Sequence, residues 1–306
     1  MKLLRHLPHL TDFENGVVAT VGNFDGVHLG HQKLIKALRI QANILKLPLV
    51  LILFEPLPKE YFKKATARLS SLREKLAILK NCQVDYVYCI KFNDVFAQTT
   101  ALEFVNTYLF SNLKVKYLLV GRDFRFGKNR EGSIELLQEM GLKHGCDVQL
   151  AADFSIGDEK VSSTKIRHVL EQGQLNVAAL YLGRPYSMCG RVIYGDGRGR
   201  QWGVPTANLS FNRTSLPLEG VFAVEVQLNS SKFHGVANIG RRPTVDGTKN
   251  SLEVHLFDFD ASIYGELLQV VFLHKLRKEV KFTSLNALIE QIHKDIALAK
   301  RYFLDY

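Results

Sequence analysis

The sequence predicts two domains: an α/β domain with a doubly wound parallel sheet, then a small antiparallel β-barrel that ends in a helix. The 306 residues are enough for two domains. Up to about residue 184, short apolar runs alternate with longer amphipathic stretches, which is typical of a doubly wound sheet. Beyond it, glycines are frequent and apolar residues alternate with polar ones, which favours a barrel. The predicted domains are therefore 1–184 and 185–306.

The elements follow from the residue patterns. Near-continuous apolar runs predict buried strands, and apolar residues at helical spacing predict helices. In the first domain we expect strands at 17–21, 48–54, 84–90 and 115–120, and helices at 29–45, 70–81, 98–110 and 132–144. In the second we expect strands at 221–228, 235–239, 252–257 and 267–272. A final helix, capped by Thr283 or Ser284, presents an apolar face that we expect to pack in the core: Leu285, Leu288, Ile289, Ile292, Ile296 and Ala299.

Composition limits the function classes. The net charge of +10 suits small anionic substrates as well as nucleic acid. No more than two Lys or Arg residues are consecutive and no basic helix face is interleaved with aromatics, but charge alone does not choose between these two classes of partner. On the interpretation reached below, we expect no nucleic-acid partner. No apolar run is long enough to span a bilayer and no signal peptide is apparent, so we expect a cytoplasmic protein without a membrane partner. The four widely spaced cysteines predict free thiols.

The most informative segment is 21–32, which places His28 and His31 on either side of Gly30 between a predicted strand and a predicted helix. Backbone amides at a helix N-terminus favour phosphate, and imidazoles can stabilise charge that moves along a polyphosphate. Two alternatives remain. Histidines near a helix start are usually structural, and a His-x-x-His pair is also a zinc pattern, although no third ligand is close in sequence.

Three other segments follow predicted strands or precede a predicted helix. Phe54–Pro58 is a rigid turn at a strand end, and Gly121–Gly127 follows a buried strand. The segment 161–167 carries small hydroxyls before a helix, then Arg167, which can bind phosphate bidentately. A helix cap is the ordinary role of such a serine.

The string Gly22-Asn-Phe-Asp-Gly-Val-His28, with His31, resembles the FMN adenylyltransferase module of bacterial bifunctional riboflavin kinases/FAD synthetases, a Rossmann-like nucleotidylyltransferase. The resemblance implies that His28 and His31 stabilise the transition state and that Arg167 binds the departing pyrophosphate. Leu57 stands where relatives often carry a polar residue. ATP and phosphate binding is implied for Gly22, Asn23, Phe24, Asp25, Gly30, Ser162, Ser163 and Thr164, and flavin binding for Asp123, Phe124 and Phe126.

A second motif, 195–208, joins a glycine-rich loop to Pro205-Thr-Ala-Asn208. A glycine-rich hairpin alone would be weak support, and the loop is not a Walker A motif. The glycine-rich loop followed directly by Pro-Thr-Ala-Asn resembles the corresponding motif of riboflavin kinases. It departs from their pattern at Val204, where a Phe is more usual. The resemblance implies that Glu253, otherwise a solvated strand residue, is the base for the flavin hydroxyl, and that Thr206 and Asn208 bind Mg²⁺. It implies ATP binding by Gly195, Gly197, Gly199 and Arg200, and flavin binding by Asn238, Arg242 and Thr244.

The resemblance covers nearly the whole chain and implies a bifunctional enzyme that phosphorylates riboflavin to FMN and adenylylates FMN to FAD, using ATP and Mg²⁺. We expect small-molecule partners only (ATP, riboflavin and FMN) and a monomer or weak homo-oligomer. One alternative is a single-activity enzyme with one half reduced to a flavin-binding module. Another is a tRNA-modifying adenylyltransferase, which salt-sensitive RNA binding without flavin binding would favour.

Overall fold

A computed structural model describes residues 1–6, 13–63, 66–195, 197–211, 213, 215–244 and 247–305, with only the backbone described at 198, 241–244 and 247–249. It forms two compact units. The first comprises Met1–Thr66 and Lys75–Val161, and the second comprises Ala67–Glu74 and Ser162–Tyr306. The boundary proposed between residues 184 and 185 rests on the change in sequence pattern and remains a prediction.

The first unit is built on a six-stranded sheet in which each adjacent pair of strands is parallel. The order across the sheet is β1-β4-β3-β2-β5-β6. From β2 the chain adds β3 and β4 on one side, then β5 and β6 on the other, which confirms the doubly wound arrangement. The strands are β1 (Lys2–Leu4), β2 (Val17–Val21), β3 (Leu49–Glu55), β4 (Tyr86–Lys91), β5 (Val115–Gly121) and β6 (Asp147–Ala151).

The sequence pattern locates four of these strands to within two residues but misses β1 and β6. All five residues of β2 are buried, as expected of a central strand covered on both faces. By contrast, β1 has only three residues, and Val148 is the one buried residue of β6. Short or half-exposed strands lack the apolar run on which the prediction depends.

Helix α1 has the predicted bounds, whereas the helix predicted at 98–110 starts at Ala101 and changes from an α-helix to a π-helix at Phe104. Asn93 caps one short helix by accepting from the Phe96 N–H, and Thr100 starts another through a capping box with Glu103. The chain then continues as a π-helix, Phe104–Ser111. The helices of this unit are α1 (Leu29–Leu45), α2 (Pro58–Tyr61), α3 (Leu72–Asn81), α4 (Asp94–Ala97), α5 (Ala101–Glu103) and α6 (Ile134–His144), and the unit also has a 3-10 turn (Lys128–Arg130) and the hairpin strands β7 (Ser155–Ile156) and β8 (Glu159–Lys160).

The second unit contains a closed barrel with the order β10-β13-β12-β11-β14-β9. All its pairings are antiparallel, as predicted. The pattern misses β9, which contains Gly190, and the four-residue β10. The elements are α7 (Ser163–Glu171), α8 (Leu175–Leu182), β9 (Ser187–Ile193), α9 (Arg198–Gln201), β10 (Ala207–Ser210), β11 (Gly220–Leu228), β12 (Ser231–Thr244), β13 (Gly247–Leu256), β14 (Leu267–Arg277) and α10 (Leu285–Asp305).

Helix α10 closes the chain, and its apolar face is less buried than predicted. The Ser284 hydroxyl caps the helix by accepting from the Ala287 N–H at 3.2 Å. Ala299 is fully buried, but Leu285 at the start of the face is 53% exposed. The expectation of uniform core packing is therefore wrong for the first turns.

A buried ion pair joins residues far apart in sequence within the second unit. Glu74 accepts from the Arg213 guanidinium at 2.5 Å, and both side chains are almost fully buried. Arg213 also donates to the Tyr186 hydroxyl at 2.7 Å and to the Arg68 carbonyl at 3.1 Å. These bonds explain why Ala67–Glu74, which includes the first three residues of α3, belongs to the second unit although the chain on both sides of it belongs to the first.

Candidate active sites

The first candidate site lies where the sheet of the first unit reverses its strand order. The strand β2 pairs with β3 on one side and β5 on the other. Open α/β sheets bind ligands outside the carboxyl ends of strands at such a switch point. The segment after β2, residues 22–31, is here called the histidine loop, and it runs into the N-terminus of α1.

His28 and His31 stack on each other, with ring centroids 3.6 Å apart and planes 20° apart. His28 is the N-cap of α1, and its Nδ1 accepts from the His31 backbone N–H at 3.4 Å. Neutral His28 therefore carries its proton on Nε2. A side chain at Gly30 would lie 3.1 Å from His28 Nδ1, so glycine allows this close approach.

His31 is held as a neutral imidazole. Burial, followed by the charges of His28 and Lys75, holds the pKa of His31 well below its usual range. The Nδ1 atom of His31 is buried and has no hydrogen-bond partner among the described residues. A buried polar atom without a partner needs an explanation, and a catalytic role or a bound ion or water is one.

The loop after β5 has mixed roles. The Phe124 and Phe126 rings stack with centroids 5.5 Å apart. Phe126 is buried and also packs against Phe104 in the core, whereas Phe124 is only partly buried. The Asp123 side chain is 92% exposed and forms an ion pair with Lys160 at 3.4 Å.

The hydroxyl segment belongs to the second unit. The Ser162 hydroxyl caps α7 by accepting from the Lys165 N–H at 3.2 Å, which is the ordinary structural role considered above. Arg167 donates from Nε to the Ala67 carbonyl. Ser163 and Thr164 form the first turn of α7. The proposed contact of these residues with phosphate remains a prediction.

The second candidate site is a cavity of about 630 Å³ within the second unit, here called the barrel cavity. It brings together most of the residues predicted from the second motif. These are Gly195, Gly197, Gly199, Arg200, Thr206, Asn208, Asn238 and Glu253. A side chain at Gly195 would approach Asn208 Nδ2 to 2.3 Å, so this position needs glycine. The side chains of Arg242 and Thr244 lie outside the described residues.

Strand register explains why these polar residues meet. Asn208 on β10 pairs with Glu253 on β13, and Glu253 pairs with Asn238 on β12. The row continues through Val221 on β11 to Arg277 on β14. Directly paired residues present side chains on the same face of a sheet. All five residues of this register row line the barrel cavity.

Several lining residues of the barrel cavity are not predicted from the sequence, among them Arg277 and Asp295. Arg277 makes a double hydrogen bond with Asp295 on α10, at 2.9 Å from Nε to Oδ1 and 2.7 Å from Nη2 to Oδ2. Gln291 also donates to Asp295 at 2.9 Å. The sequence does carry a signal for Asp295, which is an acidic residue inside the apolar helix face formed by Ile292 and Ile296. A buried acid needs a charged or hydrogen-bonding partner.

The zinc interpretation of the histidine pair gains no support. Among the described ranges, no group of three or more His, Cys, Asp or Glu side chains could hold a metal ion. The barrel cavity offers a different donor set, the hydroxyl of Thr206 and the amide of Asn208, and Glu253 also lines the cavity, at the register position paired with Asn208. In addition, Asn238 Oδ1 is buried without a partner in the described chain. Such oxygen donors fit Mg²⁺.

Comparison with known proteins covers almost the whole chain. A family model described as FAD synthetase matches residues 10–165, and one described as riboflavin kinase matches residues 182–303. The bifunctional riboflavin kinase/FMN adenylyltransferase of Haemophilus influenzae is 44% identical over 99% of both chains. The Escherichia coli K12 protein of the same description is 45% identical, over 99% of this chain and 98% of its own. The chain belongs to the bifunctional riboflavin kinase/FMN adenylyltransferase family.

A solved structure gives independent support for the fold of this family member. A Streptococcus pneumoniae structure described as a macrolide-efflux protein has a TM-score of 0.78 and 31% identity, and covers 96% of this chain and 97% of its own. In the part of the chain that the structure describes, no helix is both long and apolar enough to cross a membrane.

Within the family, the FAD synthetase match contains the histidine loop and the riboflavin kinase match contains the register row. The structure brings Gly22, Asn23, Phe24, Asp25, His28, Gly30 and His31 together in one loop. Lys75, which donates to the Asn23 carbonyl at 2.6 Å, is a residue of this site that sequence reasoning missed. Its position on α3, 44 residues beyond His31 in sequence, gives no local signal.

Proposed function

We propose that this chain converts riboflavin to FMN in the barrel cavity and FMN to FAD at the histidine loop, each with one ATP. The observation that carries the proposal is that one chain matches both families, and each match contains an assembled polar site of its own. The alternative of a single-activity enzyme gains no support from this pairing.

In the kinase reaction, the flavin ribityl hydroxyl attacks the γ-phosphorus of ATP, and the bond to the departing ADP oxygen breaks. Glu253 accepts the hydroxyl proton, a role that general-base catalysis gives to a carboxylate within reach. The glycines and Arg200 bind the ATP phosphates. Thr206 and Asn208 would hold Mg²⁺, which would neutralise phosphate charge when bound. Asn238, Arg242 and Thr244 are proposed flavin contacts.

In the adenylyl transfer, an FMN phosphate oxygen attacks the α-phosphorus of ATP, and pyrophosphate leaves. The His28 and His31 imidazoles donate hydrogen bonds to the charge that develops on the phosphates. Because FMN attacks directly, no covalent enzyme intermediate is needed. His28 donates from Nε2, since its Nδ1 already accepts a hydrogen bond. Ser162, Ser163, Thr164 and Arg167 are proposed to bind pyrophosphate, and Asp123, Phe124 and Phe126 to bind or support the flavin.

The partners follow from these reactions. We propose small-molecule substrates alone, with neither nucleic acid nor membrane as a partner, and a monomer or weak homo-oligomer. A cytoplasmic location is consistent with four free cysteines.

The first test is product analysis by chromatography. Purified protein incubated with riboflavin, ATP and Mg²⁺ should form FMN first and FAD afterwards. FMN without FAD, both from riboflavin and from supplied FMN, would contradict the adenylyltransferase half of the proposal, and no flavin product would contradict both halves.

A further inference from the structure

Lys75 is a fully buried lysine, with 0% of its surface exposed. Lysine is almost never buried this deeply unless a partner holds its ammonium, because removing the charge from water is costly. Its Nζ donates to the backbone carbonyl of Asn23 at 2.6 Å. The buried ammonium is therefore engaged by the histidine loop rather than by solvent.

The backbone that Lys75 contacts is unusual. Within the histidine loop, Phe24 and Val27 adopt left-handed conformations with φ of 46° and 41°, which are costly for side chains of this size. Such backbone persists only where the surroundings hold it. Lys75 holds the loop at the Asn23 carbonyl, and Gln32 holds it at the Val27 carbonyl with a 2.9 Å hydrogen bond from Nε2.

The loop in turn positions both imidazoles. The Phe24 ring, next to Asn23, contacts the His31 ring with centroids 4.8 Å apart, and His31 stacks on His28. Displacement of the Asn23 carbonyl would therefore reach both rings through packed neighbours. The Lys75 ammonium also acts by charge, since it is one of the groups that lower the pKa of His31.

We propose that Lys75 is a positioning residue for adenylyl transfer, which fixes the Asn23 carbonyl and thereby holds His28 and His31 in their reactive arrangement. This inference rests on the proposed function of the histidine loop and adds a residue that the loop's own motif does not contain. Lys75 acts through the histidine loop, and no contact with ATP or FMN is required of it.

The test compares Lys75→Met and Lys75→Gln with the wild-type chain. Methionine preserves the length of the side chain without a donor, and glutamine keeps a donor without the charge. Lys80→Met, an exposed lysine on the same helix, is the matched control. FAD formation from supplied FMN should fall about 10- to 100-fold in kcat for Lys75→Met, because small misplacements of catalytic groups cost this much. Lys75→Gln should fall less, and Lys80→Met should match wild type.

FMN formation by the same chain is the internal control and should remain within about twofold of wild type. If both Lys75 variants form FAD at the wild-type rate, or if both activities fall in parallel, the inference is wrong. Should Lys75→Met fail to fold, the same criteria apply to Lys75→Gln. A wild-type chain that forms no FAD would instead contradict the proposed function.

A second readout is the imidazole titration of His31 by NMR, assigned with His31→Gln. The charged groups that act on the His31 imidazole are His28, on the histidine loop, and Lys75, on α3. Loss of the ammonium in either Lys75 variant should raise the pKa of His31, whereas Lys80→Met should leave it unchanged. An unchanged His31 titration in Lys75→Met would overturn the electrostatic part of the inference.

Discussion

The two candidate sites are built in different ways. The histidine loop draws its polar groups from ten consecutive residues (22–31) and depends on backbone conformations that a distant lysine and a nearby glutamine hold. The barrel cavity draws its groups from five different strands, which closed-barrel pairing aligns into one row. The first site is therefore sensitive to local backbone changes, and the second depends on the register of the whole barrel.

The largest expected effect is at the register row. Glu253→Gln preserves shape but removes the proposed base, so FMN formation should fall about 10²- to 10⁴-fold. FAD formation from supplied FMN should be unchanged, because the histidine loop belongs to the other unit. Glu225→Gln is the matched control, a barrel carboxylate paired with Lys232 at 2.9 Å. Equal losses in the two variants would show that the effect is structural.

A second prediction tests whether the barrel depends on the segment 67–74. Arg213→Met leaves the buried Glu74 carboxylate without its ion-pair partner, although the Ser71 and Cys189 N–H groups still donate to it, and should destabilise the second unit by about 3–5 kcal/mol. Trp202, the only tryptophan of the chain, reports unfolding of this unit by fluorescence in denaturant. Lys232→Met, which removes an exposed ion pair on the barrel, should cost at most about 1 kcal/mol. Similar costs for both variants would contradict the prediction.

A third prediction separates the two roles of His28 in the histidine loop. His28→Ala removes both the imidazole and the cap of α1, whereas His28→Asn keeps a good capping group. If the imidazole stabilises the transition state, FAD formation should fall about 10²- to 10³-fold in both variants, with FMN formation unchanged. Recovery of FAD formation in His28→Asn would show that His28 serves mainly as a helix cap.

The comparison of the two sites also explains which elements and site residues could be predicted from the sequence. Strand β2 and helix α1 are predicted with their exact bounds, because burial on both faces and helical spacing are local patterns. The histidine loop lies between these two elements, so its residues could also be identified from the local sequence. Its missed residue, Lys75, reaches the loop only through tertiary packing.

The register row could be predicted only in part. Motifs identified Asn208, Glu253 and Asn238 as polar residues of interest, but their alignment depends on strand pairing that no local pattern encodes. Arg277 and Asp295 were missed because neither belongs to a motif. The recruitment of residues 67–74 into the second unit likewise depends on tertiary contacts, among them the buried ion pair of Glu74 with Arg213 and the hydrogen bond of Arg167 to the Ala67 carbonyl.

The smallest expected effect is the pH dependence that His31 gives to the first unit. Its pKa is lowered in the folded chain and is about 6.5 in the unfolded chain. Below pH 6.5 the unfolded chain therefore binds more protons, so stability falls as the pH is lowered, by at most about 1.4 kcal/mol per pH unit. Hydrogen exchange of the buried β2 amides at pH 7 and pH 5 measures this change within the first unit. His31→Gln should lose that part of the pH dependence, whereas the exposed-histidine variant His168→Gln should keep it. Equal slopes in His31→Gln and wild type would mean that folding does not lower the pKa of His31, which would contradict the prediction.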